Sequence, residues 1–168
     1  LSTTISNENK VSVRTIEHLM SSLSGMHVDN AKISIDGPEV PIMDGSSRPF
    51  VDFIEKAKVQ KQRMSRRIII VSKKVEVRRD DSFARIIPHN QFSVDYQIEF
   101  DSQLINKQSC QVQLMNGSYK SDISSARTFG FEKDVEQLRE NGFALGGSLD
   151  NAVVVGEDQI LNKNGLRF

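Results

Sequence analysis

Glu17 and His18 stand side by side in the stretch Val13-Arg14-Thr15-Ile16-Glu17-His18-Leu19-Met20. A carboxylate next to an imidazole is the pairing that chemistry needs when one group ligates a metal and the other takes up a proton. Ile16, Leu19, Met20 and Leu23 recur at helical spacing, which predicts a helix from Thr15 to Ser24 ended by Gly25. Adjacent helical residues point about 100° apart, so both side chains serve one cleft only if the edge of the helix lines it. Taken alone, the dipeptide is better read as an ordinary helix pair. His27 and His89 lack even that partner pattern and read as structural or surface residues.

Two more segments hold groups of chemical use. In Asp36-Gly37-Pro38-Glu39-Val40-Pro41-Ile42-Met43-Asp44-Gly45 the prolines stiffen and the glycines turn the chain, which suits an ordered wall beside a site. In Ser125-Ala126-Arg127-Thr128-Phe129-Gly130-Phe131 a threonine hydroxyl lies beside permissive backbone, a possible donor set for a developing oxyanion. Gly146-Gly147-Ser148 further along allows close approach of a ligand to the main chain. Each is a weak signal singly.

The elements that must position these groups mix two periods. Alternation predicts strands over Ala31 to Ile35, Ile68 to Val77, Phe83 to Ile87, Phe92 to Phe100 and Cys110 to Leu114, with a hairpin at Arg79-Asp80-Asp81-Ser82. A second helix starts near Pro49 with Phe50, Phe53, Ile54 and Ala57 on its apolar stripe, and a third runs from about Glu132 to Glu140. An apolar run, Ala152 to Val155, follows. Without a regular βαβ rhythm the fold class is α+β with mainly antiparallel pairing. The basic stretch Lys56 to Arg67 reads as a linker between two subdomains, with the break near Gln60 to Arg66.

Bulk properties exclude several classes. Twenty-two Lys plus Arg balance 22 Asp plus Glu, so no net charge calls for nucleic acid or an anionic membrane. No apolar run approaches the roughly 18 residues of a membrane span. The single cysteine, Cys110, forms no internal disulfide and suits a reducing compartment; alternation places it on the apolar side of its strand as a buried thiol. A monomeric cytoplasmic protein is expected. Leu1 at the start and the turn signal before Phe168 at the end lead us to expect an excerpt of a longer chain.

The ordered set Arg14-Thr15-Ile16-Glu17-His18-Leu19-Met20, Pro41-Ile42-Met43-Asp44-Gly45-Ser46, Ala126-Arg127-Thr128-Phe129-Gly130-Phe131, Leu145-Gly146-Gly147-Ser148 and Leu161-Asn162-Lys163-Asn164-Gly165-Leu166-Arg167-Phe168 resembles the UDP-3-O-acyl-N-acetylglucosamine deacetylases of lipid A biosynthesis from end to end. The resemblance implies two similar subdomains of layered helices on mainly antiparallel sheets, a sandwich like the ribosomal protein S5 domain. Residues 1–62 would be the second half of the first subdomain and 63–168 the first part of the second, with an acyl-passage insert at about 131–155. It implies zinc-dependent hydrolysis of the sugar's acetamide, with a small-molecule UDP-acyl-GlcNAc substrate. Glu17 would be the general base, His18 one of three zinc ligands and Thr128 the hydroxyl that holds the oxyanion.

Further substrate contacts implied by the same resemblance are Leu1 and Thr3 at the site's edge, and Phe129 and Phe131 in the cleft. Val135, Ala144, Gly147, Ser148, Asn151 and Val154 would line the acyl passage. Ala144 and Asn151 stand where other members often have cysteine. Phe100 matches an aromatic that stacks on uracil, with Glu99 beside it where aspartate is common. The family's other ligands, a His and an Asp in a His-Lys-x-x-Asp element, fall after the position of Phe168. The 168 residues alone are therefore expected to be inactive. The rival reading, a non-catalytic nucleotide-sugar-binding module on a similar scaffold, has no use for a base beside a metal ligand.

Overall fold

The computed structural model describes residues 2–114 and 117–168; Leu1 lies outside the described residues. The described residues form an α+β structure of four two-stranded sheets and three α-helices. Strands β1 (Ile5–Ser6) and β2 (Ser12–Val13) form a short hairpin. Asn7 holds its turn by accepting the Val11 amide at 3.0 Å. Helix α1 (Glu17–Gly25) follows, starting two residues later than the periodicity predicts. Its end is set by packing. A Cβ on Gly25 would lie 2.2 Å from the Tyr119 ring, so only glycine lets that ring dock there.

Helix α2 (Arg48–Ala57) has Pro49 at its first turn, as expected, because proline there gives up no helical hydrogen bond. Its buried face differs from the predicted stripe. Phe50 and Val51 are buried, whereas Phe53 is half exposed. The segment from Ala31 to Ile35 is not a strand: no partner pairs with it among the described residues, and Ile33 and Ile35 are exposed. For the same reason Ile68 to Val71 forms no strand with a partner among the described residues, and β3 (Val75–Arg79) is shorter than predicted. Strand β4 (Ser82–Ile86) closes the expected hairpin, with Arg79 opposite Ser82 and Asp80 in the left-handed region.

Strands β5 (Ser93–Glu99) and β6 (Lys107–Gln113) pair over seven residues, with Tyr96 opposite Cys110. Cys110 is exposed rather than buried, because this two-stranded ribbon carries no covering layer over that part of its face among the described residues. A π-helical turn, Tyr119–Ile123, was not predicted. Strand β7 (Phe129–Phe131), helix α3 (Glu132–Glu140) and strand β8 (Val153–Val155) make one βαβ unit with parallel pairing, a departure from the otherwise antiparallel pattern.

The core gathers Val40, Phe50 and Val51 with Ile105, Tyr119, Val153 and Val155. Among the described residues no strand ladder joins the chain before Gln60 to that after Arg66. Hydrogen bonds link them instead. The Ser21 and Tyr119 hydroxyls meet at 2.7 Å, Tyr119 donates to Ser47 at 2.7 Å, and Ser47 donates to the Ser124 carbonyl at 3.2 Å. Ser47, Tyr119 and Ser124 are all buried, so this satisfied chain of polar groups fixes α1, α2 and the segment before Thr128 against one another.

Candidate functional site

Glu17 opens α1, where a carboxylate is favoured by the helix dipole, and it receives the Thr3 amide at 3.1 Å on Oε2. Thr3 is held in turn, because its carbonyl accepts the Ile16 amide at 3.4 Å. His18 is half-buried beside it. Burial lowers the His18 imidazole below the ordinary histidine value, against the upward pull of the Glu17 and Asp44 carboxylates. The neutral imidazole that results near pH 7 is the form that ligates metals.

The loop before α2 is stitched to the entry of α1. Arg14 donates its amide to the Pro38 carbonyl and accepts that of Val40, both at 3.0 Å, and the Thr15 hydroxyl donates to Glu39. Met43 and Gly45 are both left-handed, which turns Asp44 between them across the site. Asp44 Oδ1 accepts the Ser46 amide at 3.1 Å and hydroxyl at 2.7 Å. Its Oδ2 accepts Arg167 Nη1 and Nη2, each at 3.2 Å, and faces Arg127 Nη2 at 3.8 Å.

Thr128 is positioned through its main chain. Its amide donates to the Gly45 carbonyl and its carbonyl accepts the Val153 amide, each at 2.9 Å. A Cβ on Gly45 would lie 1.8 Å from the Asn151 carbonyl oxygen, so a bare α-carbon is required where three segments meet. The threonine side chain is exposed. Phe129 and Phe131 pack edge-on with centroids 5.9 Å apart, and Phe100 joins them at 5.4 and 5.6 Å. Glu99 next to Phe100 is exposed and faces Lys107 across the ladder at 3.8 Å.

The insert residues are only partly gathered. Val135 lines an open hollow of about 480 Å³ on α3 together with Glu132, Glu136, Arg139 and Glu140. Ala144, Gly147, Ser148, Asn151 and Val154 do not line it. The first four lie instead around the turn that precedes β8, closed by hydrogen bonds from the Ser148 amide to Asn151 Oδ1 and from Asn151 Nδ2 to the Gly146 carbonyl, each at 2.9 Å, and Val154 is within β8 opposite Gly130. Asn162 locks that turn. It accepts the Val154 amide at 2.8 Å and donates to the Leu149 and Ala152 carbonyls. Among the described residues no three His, Cys, Asp or Glu side chains gather as a metal-holding group. No helix of the described residues is long and apolar enough to cross a membrane.

Asp44, Arg127 and Asn162 were not singled out by sequence reasoning, and Gly45 was read only as a turn former in the loop. The one signal was their presence in the motifs themselves.

Asp44 also sets a pH dependence. Burial pushes its carboxyl up, but the hydrogen bonds from Ser46 and the Arg167 guanidinium outweigh it and leave the group below the usual carboxylate range. A carboxyl depressed on folding contributes fully above the unfolded value of about 3.9 and loses that contribution as pH falls through the folded one. Melting midpoints between pH 6 and pH 3 should therefore fall less steeply in Asp44→Asn than in the parent chain. Equal slopes would show that Asp44 has no such share.

This is an α+β chain built around a half-buried carboxylate–imidazole pair, with a clamped threonine as its second motif. It belongs to the UDP-3-O-acyl N-acetylglycosamine deacetylase family, whose profile matches residues 1–168. A UDP-3-O-acyl-N-acetylglucosamine deacetylase of Syntrophus aciditrophicus is 47% identical over 167 residues, covering 99% of this chain and 53% of that protein. Those of Anaeromyxobacter sp. (strain Fw109-5) and Idiomarina loihiensis are 45% and 44% identical, over 93% and 100% of the chain and 51% and 56% of the relatives. The chain thus spans about half the length of the curated relatives it matches.

Proposed function

We propose that the full protein hydrolyses the acetamide of a UDP-3-O-acyl-N-acetylglucosamine, releasing acetate, in a zinc-dependent reaction of lipid A synthesis. The observation that carries this reading is the match to the family along all 168 residues, with Glu17 and His18 adjacent at the start of α1. His18 fits a zinc ligand in kind, being half-buried and held toward its neutral form. It is one donor of the three that a catalytic zinc takes from protein, so the set in this chain is short in number. Zinc, when bound, acidifies water and polarises the amide carbonyl.

The chain's own residues supply the rest. Glu17, steadied by the Thr3 amide, takes the proton of the attacking water. The Thr128 hydroxyl donates to the tetrahedral oxyanion, at a position fixed by Gly45 and Val153. The uracil stacks at Phe100, whose ring is itself braced by Phe129 and Phe131. Thr3 and Glu99 border the site, and Leu1 belongs with them on the same reading. The acyl chain lies along Val135, Ala144, Gly147, Ser148, Asn151 and Val154, where each CH₂ removed from water contributes roughly 0.8 kcal/mol.

We also read 1–62 and 63–168 as parts of two S5-like subdomains, in a monomeric cytoplasmic enzyme. Incubating the purified full protein with UDP-3-O-acyl-N-acetylglucosamine should release acetate and a free amine in equal amounts. A chelator should abolish the release and zinc restore it. No acetate from zinc-loaded protein would end the proposal.

A further inference from the structure

We propose that Asp44 is a positioning residue for the deacetylation, acting through Thr128. The two carboxylate oxygens divide the task. Oδ1 is taken by its own loop, through the amide and hydroxyl of Ser46. Oδ2 reaches across to two guanidiniums from distant segments, receiving Arg167 at 3.2 Å and facing Arg127 at 3.8 Å. Asp44 is the one carboxylate paired with either arginine among the described residues.

Both arginines act on the segment that carries Thr128, Arg127 as a member of it and Arg167 by a bond to its start. Arg127 precedes it directly; its side chain is 13% exposed and also donates to the Leu149 carbonyl at 3.3 Å. Its Nε is buried without a partner, so this guanidinium depends on Asp44 for its compensating charge. Arg167 donates to the Ser125 carbonyl at 2.9 Å. The residue after Asp44, Gly45, accepts the Thr128 amide. The Asp44–Gly45 pair therefore grips the Thr128 segment twice, by charge at Arg127 and by main chain at Thr128. The same loop is tied at its other end to the entry of the helix bearing Glu17 and His18, through Arg14, Pro38 and Val40. Asp44 thereby carries the register of that helix to the threonine.

The kinetic consequence rests on the deacetylase reading; the clamp itself does not. Asp44→Asn keeps the shape and an oxygen for Ser46 but loses the charge. In the 168-residue chain, hydrogen exchange at the Thr128 amide should become about tenfold or more faster in this variant, because local opening no longer has to break the ion pair. In the full protein kcat should fall about ten- to a hundredfold with KM little changed, as expected for misplacement of a group that acts late. In a Thr128→Ala background the same substitution should add less than about threefold, because residues acting as one unit are not additive. A purely structural role would give independent, multiplying losses.

Unchanged exchange at Thr128 in folded Asp44→Asn, or full additivity with Thr128→Ala, overturns the proposal. Should Asp44→Asn fail to fold, Arg167→Gln leaves the Ser46 bonds intact and takes its place in both measurements. If the unaltered full protein releases no acetate, the deacetylase reading falls, and the exchange measurement alone decides whether Asp44 clamps Thr128.

Discussion

Glu17→Ala in the full protein should lower turnover by roughly 10² to 10⁴-fold, the usual worth of a positioned general base. Zinc content should be unchanged, because the imidazole of His18 is a separate side chain on the same helix. The structure supplies a rival explanation that must be separated. Glu17 also accepts the Thr3 amide, so alanine frees the segment before β1 as well as removing the base. Glu17→Gln distinguishes the two. Its amide oxygen still accepts from Thr3, but it takes no proton at neutral pH. If the base is what matters, Gln is as inactive as Ala; if the tether matters, Gln restores most of the rate. Near-normal turnover in either variant would remove Glu17 from the proton transfer.

What could be read from the residues alone follows a physical division. Elements set by local pattern were legible. The third helix has the predicted limits, Glu132–Glu140, because it is an amphipathic run bounded by Phe131 and Asn141-Gly142. The β5 strand appears within one residue of its alternating pattern. Predictions that depended on partners went astray. Ala31 to Ile35 alternates as a strand should, yet a strand exists only where another ladder accepts its amides. Cys110 alternates with polar residues on β6, yet burial needs a covering layer as well as the right face. On α2 the periodicity named Phe53, but the neighbours bury Val51.

The site divides in the same way. Glu17, His18 and Thr128 were visible as residue types with chemistry. Their connection was not, because it runs through Asp44 and Gly45, whose partners lie far along the chain. A glycine that must lack a Cβ because a distant carbonyl occupies the space leaves no mark in its own neighbourhood. The chain Ser21–Tyr119–Ser47–Ser124 is equally silent in sequence, being built of three hydroxyls and a main-chain carbonyl that any surface loop could contain.

Zinc binding is where ligand counting makes the sharpest demand. Equilibrium dialysis of the 168-residue chain should show zinc held no better than by an ordinary surface histidine. His18 offers one nitrogen. His27 is exposed at the end of the first helix, and the His89 ring is engaged with the main chain of Gln91. Cys110 is on the β5–β6 ribbon without a second thiol, since the sequence has no other. The resemblance assigns the two further ligands to a His-Lys-x-x-Asp element, and no His-Lys pair occurs in these residues. Loss of an outer-shell partner alone costs roughly 10- to 100-fold in metal affinity, so the lack of two direct ligands should cost well over a hundredfold. A longer form carrying that element should therefore bind one zinc tightly under the conditions where this chain binds none. Stoichiometric, tight zinc in the 168-residue chain would show that the ligands have been wrongly assigned.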